Sequence, residues 1–308
     1  MKGKSAEVGF RGYQLRAYVA RSAPSRPSKL DLVAPDEFEH VRADPDPIRR
    51  GQRATDLITQ YQQRAIELAR LRKEAIEEAH LGGLSYTEIA ERLGITKSRI
   101  SQIKTSAPPA ERAYFGVGPV AVGIPRRFGR EDGRERPYFD ANDQATQEQV
   151  EATLLRLSLS SNRFSIDPDT DELPAGDTVV ICGPKSAPVA GRLLDSDEHL
   201  TLDSDDGTWY VTEKATGKRY SSPYLRDSSE HTDIGYLARR VDNGRVIVHI
   251  AGVTSIGSLG VAQWLDTHLT TVYSPGNHFS AAVIESDFDS EFAITDSRIL
   301  AGPFVTEV

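Results

Sequence analysis

Residues 84–104 read LSYTEIAERLGITKSRISQIK, and this stretch decides the fold of the first third of the chain. Ser85 is a natural helix N-cap, and Glu88 three residues later completes a capping box. Tyr86 to Leu93 then forms a helix of about two turns. Gly94 breaks it, since glycine adopts left-handed dihedrals without steric cost. Thr96 caps a second helix running to about Thr105, and Pro108-Pro109 end the module. Three positions set a helix-turn-helix geometry. Ala90 is small where the second helix crosses the first, Gly94 lies four residues on in the turn, and Ile100 lies six further in the shared core. Ile89, Leu93, Ile95 and Ile103 are expected to fill the rest of that core. Ile76 and Ala79 of the preceding helix supply its third wall.

Upstream, residues 48–80 read as one long helix. Leu57, Ile58, Tyr61, Ala65, Leu68, Leu71, Ala75, Ile76 and Ala79 recur at steps of three and four, and Gly82-Gly83 stop it. Residues 1–47 read as a flexible N-terminal tail. Its first part is basic (Lys2, Lys4, Arg11, Arg16, Arg21, Arg26, Lys29) and broken by Pro24 and Pro27; its second is acidic (Asp31, Asp36, Glu37, Glu39, Asp44, Asp46). Little apolar surface offsets the entropy of ordering it, although a short helix near Tyr13–Ala20 fits the pattern. The division is therefore a tail over 1–47, a helix-turn-helix domain over 48–107 and a third region over 108–308.

A chain of 308 residues with 38% hydrophobic and 27% charged residues can build two domains with cores. No apolar run of about 18 residues suggests a membrane span, and the N-terminus lacks the apolar segment of a secretory signal. One cysteine, Cys182, excludes an internal disulfide framework and a multi-cysteine zinc site. A cytoplasmic location is the expectation. The net charge of −8 is unevenly spread. Between Arg49 and Lys104 eleven basic and seven acidic residues give +4, so the rest carries −12. A basic module joined to an acidic one suits local binding of phosphates without general adhesion.

The second helix of the motif exposes Thr96, Lys97, Ser98, Arg99, Ser101, Gln102 and Lys104. A recognition helix lays its N-terminal part in the major groove of double-stranded DNA. Arg99 suits guanine and Gln102 adenine through bidentate bonds, while Lys97, Lys104 and the hydroxyls suit phosphates. The stretch SYTEIAERLGITKSRISQIK resembles the helix-turn-helix of sigma-70 region 4 and of sigma-like regulators of actinobacteria. ELARLRKEAIEEAHLGG resembles the helix before it there, so the resemblance covers residues 60–105. It implies DNA binding through Lys97, Ser98, Arg99, Ser101 and Gln102, with RNA polymerase as a further partner. No separate region-2-like segment is visible.

From about Gly116 the pattern changes. Apolar runs at Val120–Pro125, Thr178–Cys182 and Val246–Ile250 read as buried strands. Thr208–Thr212, Tyr236–Arg240, Ser280–Glu285 and Phe292–Leu300 read as further strands. Thr146–Leu159, Ala187–Leu194 and Ser258–Thr271 read as helices. Buried strands alternating with helices predict a Rossmann-like, largely parallel α/β domain with helices on both faces. The fold class is thus α/β, an N-terminal all-α helix-turn-helix module followed by that domain. The layout is also similar to C-terminal α/β domains of actinobacterial helix-turn-helix regulators, which implies a sensor-like role.

Two strand-to-helix turns are candidate ligand sites. TVVICGPKSAPV places Gly183, Lys185 and Ser186 after a strand, where ligands of doubly wound folds bind. VIVHIAGVTSIGSLG gathers Gly252, Thr254, Ser255, Gly257, Ser258 and Gly260, a set that lets a phosphate or ribose approach backbone amides. The spacing is neither G-x-G-x-x-G nor a Walker A motif. The alternative is tight helix-on-strand packing that leaves no room for side chains. No HExxH, GxSxG or paired-cysteine pattern occurs, and His199, His231, His249, His268 and His278 are scattered. No catalytic set, metal site or named cofactor emerges. The leading reading is a DNA-binding transcription regulator, a homo-oligomer whose α/β domain senses a small molecule such as a nucleotide or mediates assembly. The alternatives are a nucleotide-processing enzyme with an NAD-like substrate localised to DNA, and a sigma-like contact protein of RNA polymerase.

Overall fold

The computed structural model describes residues 35–307. The basic half of the expected tail, with the helix placed near Tyr13–Ala20, lies outside the described residues. Contacts divide the chain into two units at Ala54 and Thr55. In the first unit, helix α1 (Pro35–Ala43) precedes the start of α2 (Pro47–Leu81). A tail was expected up to residue 47, and Asp44 supplies order that the composition hides. Its buried carboxylate accepts from Arg49 Nε at 2.7 Å and pairs with Arg53 at 2.9 Å. The Arg49 hydrogen bond leads in holding its pKa down at about 2.

In the second unit the body of α2 meets α3 (Tyr86–Leu93) and α4 (Lys97–Ser106). Ile76, Ile89, Ala90, Ile100 and Ile103 form their buried core, with Ala79, Leu84, Tyr86 and Ile95 packed around it. The caps are those the sequence dictates. Ser85 Oγ accepts from Glu88 N while Ser85 N donates to the Glu88 carboxylate, and Gly94 ends α3 at φ 67°. Leu93 departs from the expected core and stands 51% exposed. The left-handed turn at Gly94 folds the chain back so that Ile95 N bonds Ala90 O at 3.0 Å, and Ile95 packs against the core as expected while Leu93 does not.

A 3-10 helix (Ala110–Phe115) leads into the α/β domain. Its elements are β1 (Val120–Pro125), β2 (Arg127–Glu131), β3 (Arg134–Tyr138), α5 (Ala141–Arg156), β4 (Ser161–Ile166), β5 (Thr178–Ile181) and α6 (Pro188–Asp195). Then follow β6 (Leu200–Asp205), β7 (Thr208–Glu213), β8 (Arg219–Ser221), α7 (Pro223–Arg226), β9 (Thr232–Asp242) and β10 (Arg245–Gly252). The last are α8 (Ser255–Val272), β11 (Asn277–Phe288) and β12 (Ile294–Glu307). Seven strands form one sheet in the order β12-β11-β9-β10-β5-β1-β4. The expected largely parallel sheet is instead mixed. Strands β4, β1, β5 and β10 run parallel, whereas β10, β9, β11 and β12 pair antiparallel. The reason is connection length. Only Asn243-Gly244 separate β9 from β10, at φ 50° and 80°, a two-residue hairpin turn. A parallel neighbour needs a crossover of about a dozen residues.

Both sheet faces are covered. Helices α5 and α8 pack on one face against Val122, Val179, Val248, Leu237 and Ile284. On the other, α6 covers Val180 and Ile247, and the small antiparallel sheet β6-β7-β8 covers Tyr236, Ala238 and Val283. Arg112 joins this domain to α2. It has no exposed surface. Its guanidinium donates to Gln63 Oε1 at 2.7 Å, Val117 O at 2.7 Å, Leu157 O at 3.3 Å and Ser158 O. Its Nε lies 3.5 Å from the Glu67 carboxylate. Arg112→Ala strands these acceptors in a dry site. It should cost about 3–5 kcal/mol, read as a lowered urea midpoint of unfolding; a loss under about 1 kcal/mol would show that the site is wetter than described.

Candidate nucleic-acid interface and ligand crevice

On α4, Thr96 Oγ1 accepts from Arg99 N at 3.1 Å and fixes the helix start. Ile100 and Ile103 point into the core, which turns Thr96, Lys97, Ser98, Arg99, Ser101 and Gln102 outward, all exposed. Arg99 Nη1 donates to Gln102 Oε1 at 3.1 Å, so the two candidate base readers already lie side by side. Lys104 is half-buried. Its Nζ donates to Tyr86 OH at 2.6 Å and sits 4.4 Å from that ring's centre. Tyr86 in turn stacks on His80 at 4.0 Å. The expected phosphate contact at Lys104 is therefore fixed against α3, whereas Lys97 is exposed on the first turn of α4. The first turn of α4 holds no acidic side chain, and its amides and the helix dipole favour an anion there.

A cavity of about 340 Å³ opens at the carboxyl ends of β1, β5 and β10. It gathers Gly183, Lys185 and Ser186 from one predicted turn and Gly252, Thr254, Ser255 and Ser258 from the other. Gly257 and Gly260 are not part of it. Both are buried residues of α8. A Cβ on Gly257 would sit 2.3 Å from Ile234 O, and one on Gly260 would sit 2.0 Å from Ser286 Oγ. These two glycines serve close packing of α8 on β9 and β11. The amides expected to cradle a phosphate are also occupied. Buried Asp233 Oδ2 accepts from Thr254 Oγ1 at 2.6 Å, Gly257 N at 2.7 Å and Thr254 N at 3.2 Å. An internal carboxylate thus stands at the start of α8 where a ligand anion was expected.

Apart from Lys185, the charged lining comes from residues that the sequence did not single out. Arg127 Nη2 donates to Asp143 Oδ2 at 2.7 Å. Burial pushes the Asp143 carboxyl up, and Arg127 only partly opposes this. Asp140 caps α5 by accepting from Asn142 N and Asp143 N. Asn142 Nδ2 donates to Ser255 Oγ at 3.2 Å and ties the starts of α5 and α8 together. Leu202, Trp209 and Leu225 supply an apolar wall. The Asp-Gly pairs at 132–133 and 206–207 close the hairpins that deliver Arg127 and Trp209. They are the signal in the sequence that could have located both residues. Cys182 lines the cavity, but burial raises its thiol to about 12, so it is a neutral thiol rather than a nucleophilic thiolate.

The remaining histidines do not assemble into a catalytic set. His249 is fully buried on β10, donates from Nε2 to Cys182 O at 2.8 Å and packs edge-on against Tyr236. His268 stacks on Trp264. Among the described residues no cluster of His, Cys, Asp and Glu is suited to a metal ion, and no helix is long and apolar enough to cross a membrane.

Comparison with known proteins agrees with the helical part. The family described as Sigma-70, region 4 matches residues 60–107. That span holds the body of α2, all of α3 and all of α4, and it supports a DNA-binding regulator role. The search of curated proteins finds no match to this chain.

Burial of His249 lowers its pKa from 6.5 to about 4. The unfolded chain takes up this proton below about pH 6.5 and the folded chain only below about pH 4, so stability falls as the pH drops through that window. The loss from this group should reach roughly 3 kcal/mol at its acid end. Urea unfolding at a series of pH values should show a slope that His249→Gln flattens; an equal slope in the variant would assign it to other groups.

Proposed function

We propose that this chain is a regulator that reads double-stranded DNA through α4, and that its α/β domain senses a small anionic ligand such as a nucleotide. The observation carrying the first part is the polar face of α4 on a capped, closed helix-turn-helix core. Arg99 and Gln102 form the base-reading pair, and Lys97, Ser98 and Ser101 flank them for phosphates. The module's charge of +4 against −12 for the rest supports binding confined to this face. Such a protein works in the compartment that holds the DNA, the cytoplasm of a bacterial cell. The Sigma-70, region 4 match also supports RNA polymerase as a partner of the same module.

The second part rests on the cavity. The parallel half β4-β1-β5-β10 works here in a Rossmann-like way. The chain leaves β1 for β4 on one side and returns to β5 on the other, and ligands bind in the crevice that such a reversal opens. Arg127 and Lys185 suit an anionic group, the Asp140 and Asp143 carboxylates suit hydroxyl or amine donors, and Trp209 suits a ring. Helix α5 carries the response. Its start lines the cavity with Asp140 and Asp143, and about 24 Å away the Leu157 and Ser158 carbonyls after its end hold Arg112. Arg112 holds Gln63 on α2, whose continuation packs the helix-turn-helix core. A ligand that shifts α5 thereby alters how α4 is presented.

Selection of duplex DNA from a random pool should yield a retained sequence, bound with a steep inverse dependence on salt. Arg99→Ala should weaken binding by roughly 1–3 kcal/mol and relax one base position, while Lys97→Ala should weaken all sequences alike. No retained sequence after selection contradicts the reading. For the crevice, a thermal-shift panel of nucleotides should raise the unfolding temperature with at least one compound, and Arg127→Ala should abolish that rise. A panel without effect removes the nucleotide reading. Consumption of the compound during incubation would identify an enzyme instead.

A further inference from the structure

Helix α2 carries different chemistry on opposite sides. Gln63, Glu67 and Arg70 lie on the side that meets Arg112. On the other side, Ile58, Tyr61, Ala65, Leu68, Arg72 and Ala75 follow alternating steps of three and four. At about 100° per residue this seam lies roughly 160° around the helix from the Arg112 side. Ile58 is 57% exposed and Leu68 65%, with Leu71 beside them at 43%. Large apolar side chains are seldom left in water along a continuous helical stripe, and a seven-residue repeat of this kind is the pattern of helix-on-helix pairing.

The geometry points to a second copy of this chain as the occupant, its α2 lying antiparallel on the seam about a two-fold axis near Leu71. Charge selects this orientation. A parallel pair would set Arg72 against Arg72 at the centre and would leave Arg64 facing Ala69. An antiparallel pair instead places Arg72 level with Leu68 and Ala65 level with Ala75. It also brings Arg64 beside Glu78 of the second copy, and symmetry repeats that opposite-charge pair. Shape agrees with charge. The C-terminal half of α2 and helix α3 enclose an apolar groove of about 190 Å³, lined by Ala75, Ala79, Leu84 and Leu93 with Arg72 and Arg92 at its rim. Antiparallel pairing carries Ile58 of the second copy to the level of this groove. Leu93, left exposed by the turn at Gly94, then gains an apolar neighbour. The surface is self-complementary, as a two-fold interface requires.

This inference is independent of DNA and of any ligand, and so is its test. Sedimentation equilibrium of the full chain across a concentration series should report a dimer, and Leu68→Glu should report a monomer with an unchanged far-UV helix signal. Orientation is read by a short bis-maleimide, since the natural Cys182 is buried. Ala65→Cys chains alone should not be joined, whereas a mixture of Ala65→Cys and Ala75→Cys chains should be joined as one of each. A monomer at every concentration, or a Leu68→Glu protein that remains dimeric, overturns the proposal. Ala65→Cys joined to itself overturns the antiparallel arrangement.

Discussion

A buried guanidinium is costly when its donors lack acceptors, and Arg112 satisfies both terminal nitrogens by drawing three chain segments to itself, while its Nε faces the Glu67 carboxylate at 3.5 Å. Gln63 and Glu67 come from α2, Val117 from the loop before β1, and Leu157 and Ser158 from the end of α5. The same loop is fixed from beneath. Asp177 accepts from Val117 N and Gly118 N at 2.7 and 2.8 Å and from Val246 N at 2.8 Å. Buried Arg239 donates to Tyr114 O at 2.8 Å. Three charged side chains therefore set where the helical module leaves the sheet. Apolar packing supplies most of the favourable free energy of such a fold but is non-directional. The hydrogen-bonded charges supply direction, since an unmade bond in a dry site costs more than a made one returns.

The crevice shows the same economy. A helix start is a ready anion site, and α8 uses it internally by donating Gly257 N to the Asp233 carboxylate. The glycines around it serve a second internal purpose, because α8 approaches β9 and β11 closely enough to exclude a Cβ at Gly257 and Gly260. The groups that remain for an outside molecule are side chains: Arg127, Asp140, Asp143, Lys185 and Trp209. In the proposed function, recognition there is set by charge and stacking more than by backbone amides. Helix α5, whose first turn belongs to the crevice and whose end is tied to Arg112, is common to both ends of the proposed response.

Local rules made the helix-turn-helix legible. Ser85, Glu88, Gly94 and Thr96 act within three or four residues of themselves, so spacing alone foretells their bonds. Leu93 was misplaced because its exposure depends on how the chain folds back at Ile95. The apolar strands at Val120, Thr178 and Val246 were legible and run parallel as expected, but the antiparallel direction of β9, β11 and β12 was not, since pattern reports burial and not orientation. The hairpin at Asn243-Gly244 carried the missing information on direction for β9 and β10. Seven of the nine residues proposed at the glycine turns do line the cavity. The Arg127–Asp143 pair joins positions on different elements, a closure that no local rule reports. Arg112 and Asp177 were invisible for the same reason, with partners 49 and 60 residues away.

The account stands on α4 as a reader of the major groove. Methylation interference on a selected duplex tests this most directly, because N7-methylguanine marks the major groove and N3-methyladenine the minor groove. Binding should be blocked by N7 methylation at discrete guanines, and interference at one of them should vanish in Arg99→Ala. Interference confined to minor-groove adenines, or an Arg99→Ala pattern identical to that of the unaltered chain, would contradict it.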